Sequence, residues 1–98
     1  MRLTEQEIAA IKGAAAEAFG PDAVVRLFGS RVDDALRGGD IDLHVEVDDL
    51  ARARSRQVAF RRQLWRDLDL LDIDVVVMSR GAVPRWIDDA ALRSGLVL

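Results

Sequence analysis

A chain of 98 residues, half of them apolar, can bury the core of one domain spanning 1–98 without covalent staples. With no cysteine, disulfides and thiolate metal sites are excluded, and a reducing compartment is compatible. The formal net charge of −3 excludes broad electrostatic attraction to nucleic acid, so no direct nucleic-acid contact is expected.

Lys12 is the only lysine, and arginine supplies the remaining positive charge. Codon usage in a GC-rich genome accounts for that bias, so the arginines carry weight only through their placement. The start, Met1-Arg2-Leu3-Thr4-Glu5-Gln6-Glu7, is polar and acidic, unlike a signal peptide, and no apolar run approaches a membrane span. A soluble, cytoplasmic protein with no membrane contact is expected.

Thr4-Glu5-Gln6-Glu7 reads as a capping box, and Ile8, Ile11, Ala15 and Ala18-Phe19 recur at helical spacing behind it. Gly20-Pro21-Asp22 stops that helix. Residues 23–28 are β-branched and aromatic and predict a buried strand that Gly29 and Ser30 end. A helical turn is predicted over 31–36, and Gly38-Gly39 breaks the chain before the next strand. That strand alternates: Ile41, Leu43, Val45 and Val47 point one way, and Asp40, Asp42, His44 and Glu46 the other.

Asp48-Asp49 is expected to cap a long helix over about 50–67, with Phe60, Leu64, Leu68 and Leu71 as its apolar stripe and six arginines covering the rest. A third strand over 72–78 is apolar on both faces past Asp74, which predicts a central position. Pro84 suits the first turn of a last helix over 85–93; Gly95 ends it, and residues 96–98 predict a short edge strand. The fold class is α/β (α+β): a mixed sheet with helices packed on it.

Two positions apart on a strand, Asp40 and Asp42 face the same way with Cα atoms roughly 6.5–7 Å apart. Two carboxylates that close repel each other unless a divalent cation, which prefers oxygen ligands, lies between them. Asp74 opens a strand of the same pattern and offers a third acid, with Asp72 as the alternative. Gly29 lets the backbone turn sharply, the Ser30 hydroxyl and following N–H groups suit phosphate oxygens, and Arg31 can neutralise a phosphate. His44 is expected to be a surface histidine, and Trp65 and Trp86 to be core or partner-facing. Neither GxxxxGK[ST] nor GxGxxG occurs, and no second histidine is present for a zinc site.

Leu27-Phe28-Gly29-Ser30-Arg31, a polar loop, Asp40-Ile41-Asp42-Leu43 and the later Asp74-Val75-Val76-Val77 together resemble the minimal nucleotidyltransferases of the DNA polymerase β superfamily. The ending, from Ala90 to Leu98, is similar to that of short members, so the resemblance spans essentially the whole chain. The gap between the Gly-Ser pair and the first aspartate is nine residues where the family usually has about ten, and Gly39 stands where serine is common. Both departures fall in the loop. The resemblance implies a palm-like sheet in which Asp40, Asp42 and Asp74 hold two Mg²⁺ ions, with Asp74 also assisting deprotonation of the acceptor hydroxyl. Gly29 and Ser30, with Arg31, would bind the triphosphate of the substrate, expected to be ATP.

Larger members carry a helical domain for the acceptor, for which this length leaves no room, so the resemblance places the acceptor outside the chain. It implies a HEPN-type helical toxin encoded nearby, AMPylated by this chain acting as a type VII-like antitoxin. The chain has no tyrosine, so a tyrosine acceptor must be in trans. The alternatives are a non-catalytic module that neutralises a helical partner by binding it, and a subunit of a small-molecule, antibiotic-type nucleotidyltransferase. Self-association is compatible with each.

Overall fold

The computed structural model describes residues 3–29, 41–68 and 73–98. Helix α1 (Glu5–Phe19) starts as its sequence dictates: the Thr4 hydroxyl accepts from the Glu7 N–H, and the Glu7 carboxylate accepts from the Thr4 N–H. Ile11, Ala14, Ala15 and Phe19 form its buried face. Strand β1 (Val24–Phe28) follows, then β2 (Ile41–Val47), which pairs antiparallel with it. Helix α2 (Ala53–Leu68) carries the chain back to β3 (Ile73–Ser79), which runs parallel to β2. Helix α3 (Trp86–Ser94) and the two-residue β4 (Leu96–Val97), antiparallel to β1, complete the described elements.

The sheet order is β3-β2-β1-β4, so β3 lies at an edge and not in the centre as its apolar run predicts. Its apolar residues have a different reason. Ile73 and Val75 join the core under α1 and α2, while the outward main chain is capped by side chains. The Gln57 amide donates to the Val75 carbonyl at 3.2 Å and the Arg85 guanidinium to the Val77 carbonyl at 3.0 Å. Charged and polar side chains on an exposed edge discourage pairing with another chain.

The alternation of β2 holds. Ile41, Leu43, Val45 and Val47 are buried with Val25 and Leu27 against Ile11, Phe19, Phe60 and Leu64. Phe19 and Phe60 meet edge to face at 5.5 Å between ring centroids, tying α1 to α2. The other sheet face carries Asp42, His44 and Glu46, and α3 covers its middle.

Helix α2 starts at Ala53, later than expected, because residues 49–52 form a turn. The Asp49 carboxylate accepts from the Ala51 N–H, and Arg52 takes a left-handed φ of 58°. The expected helical turn over 31–36, the Gly38-Gly39 break, Leu71 and Asp72 lie outside the described residues. Among the described residues no helix is long and apolar enough to cross a membrane.

Candidate active site

Register builds the site. Phe28 pairs with Asp42 across the antiparallel ladder, and Asp42 pairs with Asp74 across the parallel one. In-register residues of neighbouring strands share a face at about 4.8 Å, the strand spacing. The two carboxylates therefore stand side by side at the ends where β2 and β3 begin, Asp42 half-buried and Asp74 exposed. The sequence placed both acids on one face, and the strand pairing makes them neighbours.

The turn after β1 closes over the same spot. Gly29 has φ +81°, in the left-handed region that favours glycine, and a methyl group on its Cα would collide with the Asp42 carboxylate. Two constraints thus fix glycine here: the backbone conformation and the space the carboxylate takes. Asp40, Ser30 and Arg31 lie outside the described residues, so of the expected site residues the structure brings together Gly29, Asp42 and Asp74.

The family model described as a nucleotidyltransferase domain matches residues 8–81, from the first helix through the end of the third strand. The chain belongs to the nucleotidyltransferase family. It is a minimal nucleotidyltransferase of the DNA polymerase β superfamily, and its mixed sheet with packed helices is consistent with that fold. No curated protein matches the chain. The matched region contains the Gly29-Ser30 pair, the two strands that carry Asp42 and Asp74 and the helix between them.

Family membership carries nucleotidyl transfer from a nucleoside triphosphate, a reaction that generally uses a divalent metal. The donor set of this nucleotidyltransferase fits such an ion: two carboxylates in register, with no competing thiolate or imidazole pair, are hard oxygen ligands. Among the described residues no group of three metal-ligating side chains converges; Asp40, the first aspartate of Asp-x-Asp, lies outside them.

His44 departs from the surface position expected of it. It is fully buried beneath α3, with Nε2 2.9 Å from Asp88 Oδ1. The carboxylate accepts, so Nε2 carries the hydrogen. Asp88 in turn accepts from the Arg85 backbone N–H and guanidinium at 2.9 Å each, and Arg85 holds its carboxyl far below the usual range. The His44 ring meets Phe28 edge on, with centroids 6.4 Å apart, so the latch reaches the strand that leads into the Gly29 turn. Sequence reasoning missed Asp88. Its signal was available: an acid three residues into a helix, opposite an arginine at the cap.

The far end of the same face is an ion-pair cluster. Glu46 receives Arg26 at 2.9 Å and Arg80 at 2.9 Å, and Arg80 also pairs with Asp48 and donates to the Asp22 carbonyl. Trp65 and Trp86 are exposed, so neither is a core residue.

Proposed function

We propose that this nucleotidyltransferase moves AMP from ATP to a hydroxyl of a helical HEPN-type ribonuclease encoded beside it, and so acts as an antitoxin. One observation carries the chemical part of the reading: Asp42, packed on the Gly29 turn, stands in register with Asp74. In this reading Asp42 and Asp74, together with Asp40, hold Mg²⁺. When bound, the ion offsets charge on the phosphates and on the departing pyrophosphate. Gly29, Ser30 and Arg31 hold the β- and γ-phosphates, presenting the α-phosphorus to the acceptor. The acceptor oxygen bonds to the α-phosphorus as the bond to the bridging oxygen breaks, and pyrophosphate leaves. Asp74, the exposed acid of the pair, takes the hydroxyl proton.

The test uses the intact protein, labelled ATP, Mg²⁺ and the product of the neighbouring gene, with label followed by mass spectrometry. Label on that product that needs both Mg²⁺ and Asp42 supports the reading. Label on neither protein, with ATP consumed only when an aminoglycoside-like hydroxyl compound is present, replaces it with a small-molecule transferase.

A second reading, neutralisation by binding alone, is favoured by the apolar residues that stand out near the start of α3. Val83 is 90% and Trp86 80% exposed, in a protein whose other described aromatics, Trp65 apart, are buried. Protection of cells by the Asp42→Ala variant at the wild-type level would establish that reading and sink the catalytic one.

A further inference from the structure

Helix α2 spends its inner face on the core, through Phe60 and Leu64. Arg54, Val58, Arg61, Arg62 and Trp65 are exposed at intervals of four, three, one and three residues, which places them on one outward stripe with Arg66 at its margin. Val58 is 44% and Trp65 54% exposed. Beside Trp65 a groove of about 490 Å³ runs between α1 and α2, with Ala18 and Ala59 among its apolar lining and Arg62 and Arg66 as its positive charge.

Apart from Arg66, which stands in the last turn where the dipole favours a cation, the charges on this stripe do not serve the helix. No acid occupies its first turn, where the positive end of the helix dipole disfavours arginine. Arg62 and Arg66 stand four apart as like charges, and the only acid in the helix is Asp67. Elsewhere Arg26, Arg80 and Arg85 each pair with a carboxylate, whereas none of the α2 arginines is in an ion pair among the described residues. A chain-wide preference for arginine over lysine accounts for the residue type. It does not explain their collection on one face without interspersed acids in a chain of net charge −3.

We propose that the outward face of α2 is a docking surface for an acidic amphipathic helix of a partner protein. Val58 and Trp65 are seven residues apart, two turns or about 10.5 Å, the spacing at which i, i+3, i+4 and i+7 anchors of a partner helix meet them. Acids flanking those anchors find guanidinium forks that accept carboxylates in bidentate pairs. A nucleic acid fits less well. A single exposed aromatic on this face, Trp65, offers no platform for successive bases. The surface lies behind the sheet from Asp42 and Asp74, so an occupant leaves those carboxylates open, and the proposal does not depend on the transfer chemistry.

The test measures fluorescence anisotropy of a stapled helical peptide with leucines at i, i+3 and i+7 flanked by glutamates. The expected result is binding to the full chain that weakens at least about tenfold between low and high salt. Arg61→Glu/Arg62→Glu and, separately, Trp65→Ala should each lose at least about tenfold in affinity. The Arg61→Lys/Arg62→Lys variant should keep most of it, with far-UV circular dichroism unchanged in all. Failure of the peptide to bind, or equal binding by the charge-reversed variant, overturns the proposal. So does tighter binding of poly(U), which would make this a nucleic-acid surface. Concentration-dependent self-association abolished by Arg61→Glu/Arg62→Glu would instead assign the face to a second copy and also overturn it.

Discussion

The two ends of one sheet face treat their acids in opposite ways. At the far end Glu46 sits between Arg26 and Arg80, and Arg80 reaches on to Asp48, so the fold supplies its own cations. At the near end Asp42 and Asp74 are neighbours in register, and Asp74 is exposed and in no ion pair among the described residues. Adjacent carboxylates are unfavourable without a cation between them. An acid matched by arginine is part of the scaffold. In the proposed reading, the acid set beside another acid is where a cation from outside would be held. Between the two ends the buried His44–Asp88 pair fixes α3 on the sheet.

The strongest way to break that contrast is to remove the near-end acids. Asp42→Ala should lower nucleotidyl transfer by at least about a thousandfold, roughly 4 kcal/mol of transition-state stabilisation, with the fold retained by far-UV circular dichroism. Asp74→Ala should do the same, measured as turnover at saturating Mg²⁺ and ATP. Gly29→Ala tests the same end from the other side. It demands a left-handed alanine and a collision with the Asp42 carboxylate, so both activity and stability should fall.

The middle of the face responds in stability. Asp88→Ala leaves the buried His44 and the Arg85 backbone N–H without their acceptor, and should cost about 1–3 kcal/mol in urea unfolding. The same pair sets a pH dependence. Hydrogen bonds from Arg85 first, then from its backbone and from His44, hold the folded Asp88 carboxyl far below its unfolded value. A folded pKa that is depressed contributes stability in full above the unfolded pKa of about 4, and loses it as pH falls below that. Asp88→Asn should therefore flatten the acid limb of stability against pH, and leave the limb above neutrality unchanged.

Much of this was legible because two periodicities speak directly. The capping box at Thr4 and the alternation of β2 follow from local chemistry, and they placed α1, β2 and the face of Asp42 correctly. Which strand lies beside which is a long-range matter. The apolar run of β3 looks the same whether it is sandwiched between strands or, as here, capped at an edge by Gln57 and Arg85. His44 was misplaced for the same reason. Its burial depends on Asp88, which lies 44 residues away in sequence on a different element. Gly29 was expected to favour close approach to a ligand, and the structure adds an approach to Asp42 that no sequence spacing specifies.

The smallest expected effect sharpens the comparison most, because it asks for a near-null result on the same strand face. Glu46 is as regular a member of the acidic alternation as Asp42, four residues further along β2. Burial pushes its carboxyl up, and the hydrogen bonds from Arg80 and Arg26 more than offset that, so the net direction is down. Its contribution is thus present above the unfolded pKa and fades as pH falls through the acid range. Since the cluster is partly exposed, salt screens it. Glu46→Gln should lower the melting temperature by only about 1–2 °C at low salt, and by less at high salt. Nucleotidyl transfer should stay within about twofold of wild type, because Glu46 is held by Arg26 and Arg80 at the end of the face away from Asp42. A loss as deep as that of Asp42→Ala would mean that the whole acidic row, and not its near end alone, serves the reaction.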